Sequence, residues 1–320
     1  MGTVVALAAQ FGGAKLADGL YRLRGRQLAV IANTGDDYEH LGLPFSPDLD
    51  TLLYTLAGIS STAGWEPEGE TRAVHGMMKV LGGPDRPVLG DKSVATALLR
   101  GQGLADDHRL TDVTLDFCKR LGVKARILPM SDTPVRTHVV TDQGTMSFHE
   151  YYHTHGCEPA ARAFHYLGAG DARVPDEVLD ALHAADLEAV VICPANPYHS
   201  IRPILEVGGM RELIRSRGVP VIAVTPIVGG KALHGSAGKL MRDLGKEPSA
   251  LSVAGEYLRM IDGFVIDRQD LALAEAVRSL GMDVVAANTV MRSPEDRVAL
   301  ARTVLDFAGA LHQRGLAEVR

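Results

Sequence analysis

The 320-residue sequence predicts an α/β fold: a Rossmann-like, mainly parallel sheet with helices on both faces and an inserted hairpin and helix. Short apolar runs alternate with segments of helical periodicity, which is the pattern of parallel strands joined by crossover helices. Glycine is abundant at 34 residues and aromatic residues make up only 5%. This composition favours tight strand–helix turns over a β-sandwich. In such sheets, active sites lie at the carboxyl ends of the strands.

The apolar runs predict seven strands. These runs cover residues 4–7, 28–32, 126–128, 190–193, 219–224, 263–266 and 283–286. Helical patterns lie at 14–23, 47–58, 91–100, 210–216, 252–261, 271–280 and 294–313. Between the first strand and the first helix, Gly12 and Gly13 are predicted to form a tight turn.

Residues 137–185 interrupt this alternation and are predicted to be an insertion or lid. Period-two patterning predicts a hairpin with its turn near 142–144, and 175–185 reads as a short helix that leads back to the sheet. The polar segments of both halves follow strands and would meet at one edge of the sheet. We therefore expect a single α/β domain over residues 1–320.

Composition excludes several classes of function. The formal net charge is −6, so the chain lacks the clustered basic surface of nucleic-acid-binding proteins. Three widely spaced cysteines form no disulfide framework and fit a reducing compartment. No window holds the roughly 18 apolar residues of a membrane span. The apolar stretch at 4–9 has no basic residue before it, so we expect a buried strand there rather than a secretory signal. We expect a cytoplasmic protein without nucleic-acid or membrane partners, and a homodimer as the commonest closed assembly.

An acidic cluster follows the second predicted strand. Asp36 and Asp37 lie in the turn after it, and Asp48 and Asp50 lie in the first turn of a helix that begins near Pro47. Carboxylates there could simply complement the helix dipole. They could equally hold Mg²⁺ while phosphate oxygens complete its coordination shell. The second interpretation predicts Asp48 and Asp50 as the metal ligands and catalytic residues.

Other polar segments suggest anion binding. Gly12, Gly13 and Lys15 could cradle a phosphate with backbone amides and a positive charge, although the glycines could equally serve a tight turn. Lys92 and Arg100 lie on the helical segment that follows Leu89-Gly90 and are further candidates for phosphate or ring contacts, although they could equally belong to a solvated first turn. Similar features occur later in the chain, at Asn196 and Ser200 in a proline-stiffened loop and at the Gly229-Gly230 pair.

A histidine-rich stretch allows two interpretations. His149, His153, His155 and Cys157 could bind zinc, but zinc ligands usually come from separate segments of the chain. The favoured alternative is a lid whose histidines face substrate or solvent.

Taken in order, the motifs resemble the 2-phospholactate transferase (CofD) family of coenzyme F-420 biosynthesis. The matching stretches are GGAKLADGL (12–20), NTGDD (33–37), SPDLDTLLYTLAG (46–58), LGDKSVATALLR (89–100), LPMSD (128–132), PANPYHSIRPIL (194–205), GGMRELI (208–214) and TPIVGGKALHGSAGKLM (225–241). They span almost the whole chain and keep the family's order.

The resemblance implies a magnesium-dependent transfer. A phosphorylated three-carbon acid (phospholactate, phosphoenolpyruvate or phosphoglycerate) would pass from its guanylylated diphosphate donor to the ribityl hydroxyl of the deazaflavin Fo, with release of GMP. Asp50 and Lys92 match the positions that bind Fo in the family. The residues expected on the donor and guanylate side are Gly12, Gly13, Lys15, Asn33, Asn196, Ser200, Gly229 and Gly230.

The chain departs from the family pattern at its first turn. Two glycines of that pattern are replaced by Ala9 and Gln10, which removes conformational freedom where backbone would approach phosphate. An alternative function is a non-enzymatic nucleotide-sugar or dinucleotide-binding regulator on the same fold. A nicotinamide-dependent dehydrogenase is disfavoured, because the glycine fingerprint of that class is incomplete.

Overall fold

A seven-stranded parallel sheet forms the centre of the computed structural model, which describes residues 2–62, 64–233 and 235–318. Seven of the fourteen strands in the described residues form this sheet, and the others form three smaller sheets. In chain order, the strands are β1 (Thr3–Ala8), β2 (Leu28–Ala32), β3 (Tyr38–His40), β4 (Leu43–Phe45), β5 (Arg126–Pro129), β6 (Arg136–Thr141), β7 (Gly144–Ser147), β8 (Ala161–Leu167), β9 (Leu187–Ile192), β10 (Val221–Val224), β11 (Ile227–Val228), β12 (Lys231–Ala232), β13 (Gly263–Asp267) and β14 (Asp283–Ala287). His234, within the matched stretch 225–241, lies outside the described residues.

The helices cover both faces of this sheet. They are α1 (Gln10–Arg24), α2 (Pro47–Leu56), α3 (Ala73–Val80), α4 (Asp91–Ala105), α5 (Leu110–Arg120), α6 (Phe148–His153), α7 (Asp176–Leu182), α8 (Arg202–Glu206), α9 (Met210–Arg215), α10 (Ala237–Asp243), α11 (Ala250–Glu256), α12 (Ala274–Arg278) and α13 (Pro294–Glu318). None of them, over the described ranges, is long and apolar enough to cross a membrane.

The sheet winds in two directions from β1. Its order is β14-β13-β10-β9-β1-β2-β5, and all its strand pairs are parallel. The chain proceeds outward from β1 through β2 to β5 and then crosses to β9 on the opposite side of β1. The crevice between β1 and β9 is therefore the topological switch point, where open α/β sheets bind their ligands.

Alternate side chains of the buried strands supply the cores on the two faces. In β1, Val5 and Leu7 belong to one hydrophobic cluster, whereas Val4 and Ala6 belong to the cluster on the opposite face. Both clusters are fully covered, which explains why the strands appear in the sequence as continuous apolar runs. The predicted Rossmann-like α/β fold is confirmed.

The local predictions succeed at the strands of the central sheet and differ from the structure at one turn and one helix. Strand 28–32 and the helix start at Pro47 are confirmed. The turn predicted at Gly12 and Gly13 is wrong, because α1 already begins at Gln10 and both glycines lie inside its first turn. The helix predicted at 271–280 is divided into a 3₁₀ segment followed by α12.

The insertion contains the predicted hairpin and one additional strand. Strands β6 and β7 pair antiparallel, with Thr141 opposite Gly144, and β8 pairs with the other edge of β6. Helix α6 follows β7 directly. Strand β8 was not predicted from the sequence, and neither were the two short hairpins β3–β4 and β11–β12 elsewhere in the chain. The assignment of the insertion as a lid, and the single domain over 1–320, stay predictions.

Candidate active site

A cavity of about 780 Å³ opens at the carboxyl ends of the central strands. This volume lies in the upper part of the range for small-molecule sites. Gln10 follows β1, Asp36 follows β2, Pro194 follows β9 and Thr225 follows β10, so residues from both halves of the chain meet here, as predicted. The polar and charged lining residues, apart from aromatic ones, are Gln10, Lys15, Asp36, Asp48, Asp50, Thr51, Glu66, Ser93, Asn196, Thr225, Ser236, Thr289 and Arg292.

Asp48 lies on the floor of the cavity, with both carboxylate oxygens hydrogen-bonded. The backbone N–H of Gln10 donates to Oδ1 at 2.7 Å, and Nδ2 of Asn33 donates to Oδ2 at 2.8 Å. Burial and the nearby Asp36 carboxylate raise the pKa of Asp48 to about 7, although the two hydrogen bonds oppose that rise. Asp48 is thus a fixed, buried carboxylate that would attract a cation.

Asp50 also lines the cavity but already has a cationic partner. Arg100, which is buried, donates to Oδ2 of Asp50 at 3.3 Å and makes a second, shorter hydrogen bond to Oδ1. Arg100 also donates to the carbonyl of Pro44. Arg100, a candidate for anion binding in the sequence, instead holds one of the predicted metal ligands in place.

Asp36 and Asp37, adjacent in sequence, have different surroundings. Asp36 lines the cavity; its Oδ2 lies 2.9 Å from Nδ1 of His199, and its Oδ1 is buried without a partner in the structure. Asp37 lies outside the lining and accepts a hydrogen bond from Ser46 at 2.8 Å. Burial raises the pKa of Asp37 to about 8, with the Asp48 carboxylate adding to the rise.

We expect Asp37 to make the protein more stable as pH falls. Because its folded-state pKa lies above the unfolded value near 4, its stabilising contribution is complete below pH 4 and is lost as pH rises through about 8. One such group gives a slope of at most about 1.4 kcal/mol per pH unit. Urea unfolding at pH 5.5, 7 and 8.5 measures it. Asp37→Asn should unfold with a shallower pH dependence; an unchanged slope would contradict the assignment.

Of the three residues predicted to cradle phosphate, Gly12 and Lys15 line the cavity and Gly13 does not. Gly12 lines the cavity, and a Cβ there would lie 2.7 Å from the carbonyl oxygen of Pro194, so this position requires glycine for packing. Gly13 faces β1, where a Cβ would make ordinary contact with Ala8 at 3.5 Å. Lys15 lines the cavity, donates to the carbonyl of Met291 at 2.9 Å, and has its pKa lowered by burial.

The remaining predicted donor residues lie in or behind the cavity wall. Asn196 lines the cavity; its Oδ1 caps the following turn, whereas its buried Nδ2 has no partner in the structure. Asn33 is fully buried and supports Asp48 from behind. Ser200 is buried beside His199, with Oγ 3.3 Å from its ring Nδ1.

Three further predicted residues lie away from the described lining. Gly229 and Gly230 form the turn between β11 and β12, both with positive φ, and the N–H of Gly229 donates to the carboxylate of Asp270. Their neighbour Val228 lines the cavity instead. Lys92 is exposed at the start of α4 and donates through Nζ to the carbonyl of Glu68, while the adjacent Ser93 lines the cavity.

Aromatic side chains flank the acidic floor in two groups. Phe11 and Trp65 have ring centroids 6.2 Å apart on one wall. On another wall, Tyr38 stacks on His149 at 3.7 Å, with Tyr152 and His153 beside them. Planar ligands bind well between such rings.

The histidine-rich stretch faces the cavity. His149 and His153 belong to the lining, which agrees with the substrate-facing interpretation. Cys157 is buried in the hydrophobic core. In the described part of the chain, no group of three or more His, Cys, Asp or Glu side chains is arranged to hold a metal ion. The zinc interpretation of this stretch therefore lacks support.

Gln10 and His199 belong to the site but were not predicted from the sequence. His199 is buried, with Phe148 stacked on its ring at 4.0 Å. Its position two residues after the Asn196-Pro197 pair, at a predicted strand end, could have identified it. Gln10 occupies a left-handed conformation with φ +56°, whereas Ala9 is extended with φ −154°. Of the two family glycines that the chain lacks, only the one at position 10 thus falls where glycine is conformationally favoured.

Comparison with known proteins identifies the family. The family model for 2-phospho-L-lactate transferase CofD matches residues 4–301. A 2-phospho-L-lactate transferase of Methanosarcina mazei is 38% identical over 296 residues, which cover 92% of this chain and 96% of the relative. A phosphoenolpyruvate transferase of Kitasatospora aureofaciens is 39% identical, covering 95% and 97%.

A solved structure shows a similar fold. A UPF0052 family protein from Bacillus halodurans superposes with a TM-score of 0.63 at 13% identity, covering 95% of this chain and 99% of that chain. At this identity, the likeness concerns the fold alone. The family match and the curated relatives together show more: the chain belongs to the 2-phospho-L-lactate transferase (CofD) family of coenzyme F-420 biosynthesis and is a transferase.

Proposed function

We propose that this protein transfers a phosphorylated three-carbon acid from a guanylylated diphosphate donor to the ribityl hydroxyl of Fo and releases GMP. The observation that carries this proposal is the acidic floor at the β1–β9 switch point, between two groups of aromatic rings. Two substrates that each carry a planar ring system suit such a cavity, with their reacting groups meeting over the carboxylates.

The residues present fit a magnesium ion. Asp48 and Asp50 are buried carboxylates, and both belong to the lining of the cavity. Mg²⁺ is commonly held by one or two carboxylates while substrate phosphates and water supply the remaining ligands. When bound, it would neutralise the charge that develops on the diphosphate during transfer.

The chain's own residues would position the reactants. The N–H of Gln10 and the amide of Asn33 fix Asp48, and Arg100 fixes Asp50. The acceptor hydroxyl attacks the phosphorus that bears the three-carbon acid, and the bond from this phosphorus to the bridging oxygen breaks as GMP leaves. Little covalent assistance is needed, because orientation and charge neutralisation supply most of the catalysis in phosphoryl transfer.

A donor panel tests this function and identifies the acid. The purified protein is mixed with Fo, Mg²⁺ and the guanylylated form of phospholactate, phosphoenolpyruvate or phosphoglycerate in turn. We expect GMP release with at least one donor, together with a product that carries the acid on Fo. The relatives named above include both phospholactate and phosphoenolpyruvate transferases, so their names do not choose the donor. Donor binding without GMP release from any of the three would instead indicate a binding protein.

A further inference from the structure

Gln10 combines a strained backbone with a position on the cavity floor. Its φ of +56° lies in the left-handed region, which side chains other than glycine, asparagine, aspartate and histidine rarely adopt. Five non-glycine residues in the described ranges have positive φ, and Gln10 is the one among them that lines the cavity. Backbone strain of this kind persists where surrounding contacts enforce it, often at functional sites.

A backbone hydrogen bond explains the left-handed conformation of Gln10, but it does not explain why the residue is a glutamine. The left-handed turn directs the N–H of Gln10 at Oδ1 of Asp48, 2.7 Å away. A glycine would make the same hydrogen bond without strain. A reason for the glutamine must therefore lie in what its carboxamide contacts.

The side-chain amide of Gln10 is connected to the carboxylate of Asp36 through the ring of His199. Nε2 of Gln10 lies 3.4 Å from Nε2 of His199, and Nδ1 of the same ring lies 2.9 Å from Oδ2 of Asp36. The nitrogen of the Gln10 amide faces Nε2, so Nε2 accepts this hydrogen bond and Nδ1 donates to Asp36. Phe148 stacks on the ring at 4.0 Å and limits its tilt.

We propose that Gln10 is a positioning residue that acts on Asp36 through His199. The Gln10 amide anchors one edge of the imidazole, the opposite edge holds Oδ2 of Asp36, and Oδ1 of Asp36 is left for the substrate. Oδ1 is buried, has no partner in the structure and belongs to a residue of the cavity lining. The group that it receives is a hydrogen-bond donor, namely a hydroxyl or N–H of the bound substrate.

Nuclear magnetic resonance of the histidine rings tests the contacts of His199 with Gln10 and Asp36 without any substrate. The His199 signals are assigned by their loss in His199→Gln. In the wild-type protein, we expect a protonated Nδ1, an unprotonated Nε2 and a slowly exchanging Nδ1–H. In Gln10→Gly, this proton should exchange with water about tenfold faster or more, because the ring has lost one anchor. A doubly protonated ring in the wild type, or unchanged exchange in the variant, would overturn the proposal.

Enzyme kinetics test whether Gln10 acts through Asp36. This experiment rests on the proposed function. Gln10→Gly and Gln10→Ala should each lower kcat/KM for the donor by about tenfold or more, the usual effect of losing a residue that orients a ligand-binding side chain. In the Asp36→Asn background, the same changes should have little further effect. Additive losses would refute action through Asp36. If no donor reacts at all, the proposed function fails while the resonance result stands.

Melting temperatures separate strain from positioning. Gln10→Gly should melt higher than Gln10→Ala, since glycine adopts the left-handed conformation freely whereas alanine keeps the strain. Gln10→Glu retains the side-chain volume but cannot donate when ionised, so it should not restore the kinetics. Wild-type kinetics in Gln10→Glu would show that the side chain only fills space.

Discussion

Replacing Arg100 by Met should lower the free energy of unfolding by about 3–5 kcal/mol, the range for breaking a buried ion pair from one side. Arg100 and Asp50 are both buried, and two hydrogen bonds join them. Methionine leaves the Asp50 carboxylate without its counter-charge in a site that water reaches poorly. Urea unfolding at neutral pH measures the loss.

A double variant provides the control for this prediction. Arg100→Met combined with Asp50→Asn removes both charges and should recover much of the stability, because the cost arises from the unpaired carboxylate. The single variant should also become more stable on acidification, as Asp50 takes up a proton, whereas the double variant should not. If the double variant is no more stable than the single one, packing rather than charge makes Arg100 important.

Asp48→Asn should reduce GMP release by about 100-fold or more, because it would remove a carboxylate ligand of the Mg²⁺ ion whose positive charge would stabilise the transition state. Asn is nearly isosteric with Asp, but it removes the negative charge. Its amide N–H₂ would also face one of two donors, the N–H of Gln10 or Nδ2 of Asn33. Initial rates over a range of magnesium concentrations measure the loss, and added magnesium should not restore the activity.

Asp37→Asn is the matched control for Asp48→Asn. Asp37 is also buried, but it lies outside the described cavity lining and its pKa of about 8 makes it neutral at pH 7. Its amide variant should keep activity within about threefold, since Asp37 lies outside the cavity lining and its replacement by Asn changes the charge at pH 7 little. Equal losses in the two variants would point to general damage to the floor rather than to a role of Asp48.

Local physical rules predict most of the sheet from the sequence. Strand β2 coincides with the apolar run 28–32, and α2 begins at Pro47, where proline suits the first helical turn. The run of strand–helix alternation also places Asp36, Asp48 and Asn196 at one edge. Because parallel strands end at the same side of a sheet, this part of the site follows from topology alone.

The contacts between these residues depend on distances that no local rule provides. Arg100 lies 50 residues after Asp50, and His199 lies 163 residues after Asp36. Such pairs arise from how α4 packs against β4 and α5, and from how the segment after β9 packs against β1. Gly12 shows the same limit: glycine suits a turn, a phosphate cradle or close packing equally well, and only the approach of Pro194 distinguishes these roles.

The spread of the cavity lining along the chain has a consequence for how the protein matures on the ribosome. Gln10 lies near the start of the lining and Arg292 near its end, so the site requires almost the entire polypeptide. Domains fold as units, and synthesis proceeds from the N-terminus. A nascent chain that stops after β10 would expose the acidic floor without its final wall. Release of chains truncated before Arg292 should therefore yield protein unable to enclose its substrates.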